Sequence, residues 1–180
     1  AVAPIKLDDI LLISQNGYAL RFNIEEVPVV GAKAAGVKAM NLKEDDVLQS
    51  AFICNTSSFY LLTQRGSLKR VSIEEIPATS RAKRGLQVLR ELKNKPHRVF
   101  LAGAVVEQGF VGDLFSTEVD GNDQTLLVQS NKGTIYESRL QDLNLSERTS
   151  NGSFISDTIS DEEVFDAYLQ EAYTEFESKE

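Results

Sequence analysis

The sequence predicts an all-β, propeller-like repeat protein: about three four-stranded blades making part of a ring, followed by an acidic C-terminal tail. Three observations carry this. Gly17, Gly66 and Gly133 each close a turn after a short apolar run, and Gly36, Gly85 and Gly152 each lie 19 residues further on. Each period holds four short stretches of strand character bounded by turn residues. Self-similarity at a period near 50 residues marks a solenoid or a propeller. Propellers close with roughly four to eight blades, so three blades predict an open half-ring, or blades completed from outside this sequence.

Residues 1–6 align at an offset of 49 with residues 50–55 and read as the last strand of a preceding blade. The chain begins without Met and without a secretory signal pattern, as expected of a cut inside a longer polypeptide. The first full blade, 10–54, opens with the apolar run 10–13, the pattern of a strand covered on both faces. Asn16-Gly17 is a strong hairpin signal, both turn positions being expected at positive φ. Residues 18–22 return, and 37–42 and 47–54 read as third and fourth strands. The second blade, 59–106, repeats the plan at 59–63, 67–73, 86–92 and 99–106, and Val27-Pro28 recurs as Ile76-Pro77. The turn glycines are then 67 residues apart instead of 49, which exposes an acidic insertion of 18, at 107–124, expected as a surface loop. The third blade, 125–156, has strands at 125–129, 134–138 and 153–156. In the tail, 157–180, repeat register asks for a fourth strand at 164–170. The spacing of Val164, Tyr168, Ala172 and Phe176 instead draws one face of a helix, with Ser160 and Glu163 as a capping box. The helix is favoured.

The net charge of −8 is unevenly spread. Residues 1–156 hold 18 Lys+Arg and 18 Asp+Glu, whereas the tail holds nine acids and one Lys. Between Arg65 and Arg98 ten basic residues face three acids. Such segregation says more about partners than the total does. Arg65, Lys69, Arg70, Arg81, Lys83, Arg84 and Arg90 are the candidate contacts to an anionic partner, with Arg21, Lys33 and Lys38 as first-blade counterparts. Arginine's planar fork suits phosphate oxygens. No aromatic residues interleave, so backbone contact on a duplex is the better match than stacking on unpaired bases. A solvated charged face or a protein-interaction rim would use the same positions differently.

Catalysis finds little support. His97 stands alone and is read as a solvated loop side chain, Cys54 as a small core residue. Lys132-Gly133-Thr134 lacks the upstream glycine of a phosphate-binding loop. No catalytic residue, metal site or cofactor is expected within the chain. A single Cys favours a reducing, intracellular setting, and no apolar run approaches the roughly 20 residues that span a bilayer.

The repeats FYLLTQRGSLKRVSIEEIPATSRAKRGLQVL and DILLISQNGYALRFNIEEVPVVGAKAAGVKAM, sharing strand, turn, basic pair and loop glycine in order, resemble the C-terminal DNA-wrapping domain of bacterial type IIA topoisomerase A subunits. The resemblance covers about residues 10–156. It implies a β-pinwheel that binds and bends duplex DNA on a basic rim. SRAKRGL is only a degenerate form of the gyrase box Gln-Arg-Arg-Gly-Gly-Lys-Gly, which points to the topoisomerase IV branch. The resemblance further implies a bacterial, cytoplasmic, chromosome-associated protein. Its partners would be the B subunit, the rest of the A subunit, plus duplex DNA. No membrane insertion is implied, and ATP and Mg would be needed only by the whole enzyme. Ala172-Tyr173-Thr174-Glu175 is similar to the sequence around that family's cleaving tyrosine, but Ala172 stands in place of Arg, and Tyr173 is not assigned a catalytic role.

Overall fold

The computed structural model describes residues 9–106 and 124–171. Each repeat opens with an antiparallel hairpin: β1 (Asp9–Ser14) with β2 (Tyr18–Asn23), β4 (Ser58–Thr63) with β5 (Ser67–Ser72), and β8 (Gln124–Ser130) with β9 (Ile135–Arg139). The turns share one construction. Gly17, Gly66 and Gly133 donate their N–H to Ser14, Thr63 and Ser130 carbonyls at 3.0, 2.9 and 2.9 Å. The hydroxyls of those same three residues accept the N–H of Tyr18, Ser67 and Thr134 at 3.1, 3.1 and 3.3 Å. The glycines take φ of 82, 75 and 84°, while Asn16, expected at positive φ, does not. One left-handed residue closing a three-residue loop is the bulged hairpin, not the two-residue Asn-Gly turn.

The fourth strands take equivalent places in the three sheets: β3 (Leu48–Ile53) lies beside β1 and β7 (Val99–Val105) beside β4, both as expected, and β11 (Val164–Glu171) lies beside β8 where repeat register asked for a strand. The third strands do not stay in their own blade. β6 (Leu86–Gln87) pairs with β2 of the first repeat, and β10 (Ser153–Phe154) with β5 of the second. The sheets therefore run β3-β1-β2-β6, β7-β4-β5-β10 and β11-β8-β9. A repeat in sequence is not a sheet in space; each of the first two sheets is finished by the next repeat. The same rule corrects the strand expected at 37–42. Its place would be beside the second strand of a preceding repeat, none is present among the described residues, and 37–42 forms no strand.

The helix expected in the tail is also corrected. Residues 164–171 pair with β8 from Val164↔Ser130 to Glu171↔Gln124. Ala167 and Leu169 turn inward while Phe165 and Tyr168 are exposed, so the four-residue spacing was not one buried face. An unpaired edge of β8 outweighs local helical pattern. Residues 172–180, Tyr173 among them, lie outside the described residues, as do 1–6 and all of the insertion except Gln124. The insertion's ends meet: Val106 N–H donates to Gln124 Oε1 at 2.7 Å.

The middle sheet is covered on both faces, which accounts for its continuous apolar run. Phe59 and Leu61 pack with Leu11, Ile13 and Ala19, whereas Tyr60 and Leu62 pack with Leu126, Val128 and Ile159. Exchange of the third strand rests on a glycine at the entry to each crossing. Gly85 (φ 88°) lies so close to β2 that a Cβ would sit 2.2 Å from Ala19 O, and at Gly152 (φ 77°) it would sit 2.5 Å from Leu68 O. Gly85→Ala is therefore expected to lower stability by roughly 3 kcal/mol or more, combining backbone strain with overpacking. Gly133→Ala, with open space around it, should cost only about 1 kcal/mol. Urea midpoints for the two variants check this; equal losses would mean the crossing does not need its glycine.

Candidate nucleic-acid interface

The structure sorts the ten basic candidates into internal braces and outward cations. Lys69 is an internal brace, 2% exposed. Its ammonium donates to the carbonyls of Val88, Arg148 and Ser150 at 2.5, 2.7 and 2.8 Å, tying the third repeat's loop to the second's. Burial pulls its pKa down to about 7, and Glu75 opposes that shift. Three carbonyl acceptors need three N–H donors, which only the ammonium has, so the charged form fits this nest. A phosphate contact for Lys69 is thereby corrected. Arg21 is likewise committed, with Nε 2.7 Å from Asp9 Oδ2 and Nη1 reaching Ile73 and Ile76 carbonyls across the seam. Arg70 is half-buried, its Nε donating to Ser58 Oγ at 2.8 Å, and its carbonyl takes Ser146 N–H. It lies against the third repeat's loop, apart from the loop of Arg81 and Arg84.

Arg81 is a clasp with a counterpart one blade on. Its N–H donates to Glu26 Oε2 at 3.0 Å and its Nη1 to Lys38 O at 2.8 Å. In the same way Arg148 N–H donates to Glu75 Oε2 at 2.8 Å and Arg148 Nη1 to Gln87 O. The glutamates sit in the 3₁₀ turns Ile24–Glu26 and Ile73–Glu75 that follow the second strands. The clasp, with Ala82 N–H on Ala39 O and Asn41 N–H on Lys83 O, lays the second repeat's basic loop along the first repeat's. Exposed Lys38 and Lys83 thus come from two repeats onto one tract of surface, Lys33 is exposed in the first repeat's loop, and Lys83 Nζ is steadied by Thr79 Oγ1 at 2.6 Å. Arg84 stacks 3.8 Å over the Tyr18 ring, and Arg90 is exposed beyond it. The stacking partner Tyr18 and the clasp glutamates were missed by sequence reading; the repeated Ile-Glu-Glu at 24–26 and 73–75 was the available signal for the glutamates.

Each repeat carries a second shared device, at the tip of its own hairpin. The turn residue meets the residue two before the fourth strand: Asn16 N–H on Asp46 Oδ1 at 2.9 Å, Arg65 Nη1 on His97 Nε2 at 3.1 Å, and Lys132 Nζ on Glu162 Oε1 at 3.6 Å. His97, expected to be solvated, is 6% exposed. Arg65 can only donate, so His97 Nε2 accepts and Nδ1–H faces Thr63 Oγ1 at 3.1 Å. Burial, then Arg65, hold its pKa below 6.5. At Glu162, chiefly the hydroxyl of Ser130 and then Lys132 hold the carboxyl below its usual range. Arg65 also lies 5.7 Å over Phe154 and faces a cleft whose far wall is Asp161, Glu162 and Glu163. Lys132-Gly133-Thr134 is a hairpin turn, as read. Among the described residues no group of His, Cys, Asp and Glu could hold a metal, and no helix is long and apolar enough to cross a membrane.

Two outcomes test the internal assignments. Lys69→Ala strands three buried carbonyls and is expected to cost about 2–4 kcal/mol in denaturant unfolding. It should leave the salt dependence of any polyanion binding unchanged, and a shallower salt dependence would return Lys69 to the surface. Because His97 is held below its unfolded value of 6.5, its contribution is fully present above that pH and is lost as pH falls from there through the folded value. Melting temperature should therefore fall more between pH 7 and 5 for the parent chain than for His97→Gln; parallel curves would count against the buried neutral imidazole.

Comparison with known proteins agrees with this architecture. The family model described as DNA gyrase C-terminal domain, beta-propeller, matches residues 8–55 and 58–104. The chain is 94% identical over 175 residues to the A subunit of DNA topoisomerase 4 from Streptococcus pneumoniae, covering 97% of this chain and 21% of that protein. Against its counterpart from Streptococcus pyogenes serotype M6 it is 59% identical over 167 residues, covering 91% and 20%. The chain thus spans about a fifth of the length of these relatives. A crystal structure of the C-terminal domain of DNA topoisomerase IV superposes with a TM-score of 0.72 at 35% identity, covering 92% of this chain and 47% of that one. With three sheets linked by exchanged strands and a family match on its first two repeats, the chain belongs to the gyrase A C-terminal β-propeller family.

Proposed function

We propose that this chain is a DNA-binding module, part of the A subunit of a topoisomerase IV, that holds and bends duplex DNA for strand passage and decatenation. The observation that carries the reading is the clasped pair of loops, which puts cations of two successive repeats on one surface. A polyanion laid along it meets Lys33, Lys38, Lys83, Arg84 and Arg90 together, with Arg81 and Arg65 lending partly committed guanidiniums. Lys69, Arg21 and Arg70 support the scaffold. Such contacts recognise phosphate and position a duplex without reading bases. A protein-interaction rim would need an apolar patch where these lysines stand. The module itself would be non-catalytic and need no cofactor. The rest of the A subunit, the B subunit, ATP and Mg belong to the whole enzyme, in the bacterial cytoplasm at the chromosome.

Neutralising about five phosphates should give log affinity against log salt a slope near −4 to −5, read by fluorescence anisotropy on a short duplex. Reversing Lys38, Lys83 and Arg90 to Glu should abolish binding at moderate salt with little change in melting temperature. A flat salt dependence, or a triple variant that binds like the parent, would refute the proposal.

A further inference from the structure

We propose that the cleft at the seam of the first two sheets is a phosphate-binding site in which Arg84, held flat on Tyr18, takes the oxygens of a tetrahedral oxyanion. The cleft is about 150 Å³ and is lined by Lys43, Arg84, Arg90 and Arg98 against two acids, Asp45 and Glu91. Drug-sized ligands occupy roughly 300–1,000 Å³, so the space suits one small anion with its water. None of the four cations forms an ion pair among the described residues. Arg84 Nε is shielded from solvent and has no hydrogen-bond acceptor. The two Nη groups hydrogen-bond nothing among the described residues, and Arg84 lines the cleft, so an oxyanion there would accept from both with two oxygens in the guanidinium plane.

The second seam shows that this is a particular site and not a general property of the scaffold. There Arg65, Lys95 and Arg98 face Asp161, Glu162 and Glu163, so an entering anion meets as many acids as bases. Position by position, the difference lies in a few residues. Arg98 and Glu163 are equivalent, each offering its carbonyl to the N–H of a hairpin-turn residue, Gln64 or Asn131. By repeat register Asn151 stands where Arg84 does, and Ser67 where Tyr18 does. The stacked arginine therefore occurs at the first seam and has no counterpart at the second.

The chemistry named is a phosphate oxyanion, supplied either by a duplex backbone or by a free polyphosphate. Only the first source rests on the reading of the chain as a DNA-binding module. The test titrates inorganic pyrophosphate into the 180-residue chain, following the Arg84 Nε–H resonance by NMR. Duplex affinity at several salt concentrations is measured for the parent, Arg84→Gln, Arg90→Gln and, as a one-charge control outside the cleft, Lys93→Gln. The expected result is a saturable pyrophosphate shift in the parent and a duplex affinity lowered about tenfold by Arg84→Gln, against about twofold for the control. The salt slope should become shallower by about one, the share of a single phosphate. Arg90→Gln, at an exposed position, should lose about fivefold and carries the test should Arg84→Gln fold poorly. A pyrophosphate shift with duplex losses no larger than the control's would keep the site and assign it to free polyphosphate. A shift in a chain that binds no duplex would sink the DNA-binding reading and leave the site standing. No shift, with both cleft variants behaving like Lys93→Gln, would overturn the proposal.

Discussion

The architecture depends on one steric fact: at the entry to each crossing the backbone must pass within contact of a carbonyl on the previous sheet. Gly85 against Ala19 O and Gly152 against Leu68 O leave no room for a side chain, and both residues are left-handed. Because the chain can pass there, β6 and β10 reach the preceding sheet and close its edge. An open edge is an invitation to wrong pairing, and here the next repeat removes it. The crossing also carries neighbouring residues with it. Val88 N–H donates to Gly17 O at 2.7 Å and Ile155 N–H to Gly66 O at 3.0 Å, so Leu89 and Ile159 fill the space beside the turn glycines. Neighbouring blades are thus joined by backbone pairing, by core and by clasp at once, as expected of a fold whose stability is a chain of nearest-neighbour terms.

With the scaffold fixed, function can vary through single residues at equivalent places. The tip device has Asp46, His97 and Glu162 at one position and Asn16, Arg65 and Lys132 at the other. Each pair satisfies its own polar groups, yet the charge presented to the neighbouring cleft differs every time. The clasp, by contrast, is kept: Glu26 with Arg81, Glu75 with Arg148. Arg81, one of the arginines that look most like phosphate ligands in the sequence, is therefore spent in part on holding loops in place.

Much of this was legible. The six glycines of the repeat are all at positive φ; Gly17, Gly66 and Gly133 marked the hairpin turns correctly, and most strands fall where alternation put them. What alternation reports is which face a residue takes, never which strand lies beside it, so the exchange of β6 and β10 was hidden. Lys69 was opaque for the same reason. A lysine on a strand reads as solvent-facing until a loop from the next repeat brings three carbonyls over it. His97 looked isolated because Thr63 and Arg65 precede it by more than thirty residues. The tail deceived in a different way: the four-residue spacing fits a helical face, whereas in the strand the bulge between Val164 and Asp166 leaves Val164 buried and Tyr168 exposed.

The distribution of charge over the seams gives the proposed duplex a direction. Binding to phosphate is a sum of local neutralisations, so what matters is the sign of each seam and not the chain total of −8. The first seam and the clasped loops beside it are cationic. At the second, the acids before β11 answer Arg65, Lys95 and Arg98 nearly one for one. A duplex following the favourable surface would be held over the first two repeats and released toward the third. Repulsion between its backbone and Asp161 and Glu163, acting within a Debye length of about 10 Å at 0.1 M salt, would turn its path away. On the proposed reading the curvature of a bound duplex would be set by which seams hold phosphate and which refuse it, and a change of one residue at the Arg98 or Glu163 position would move the point at which the duplex departs.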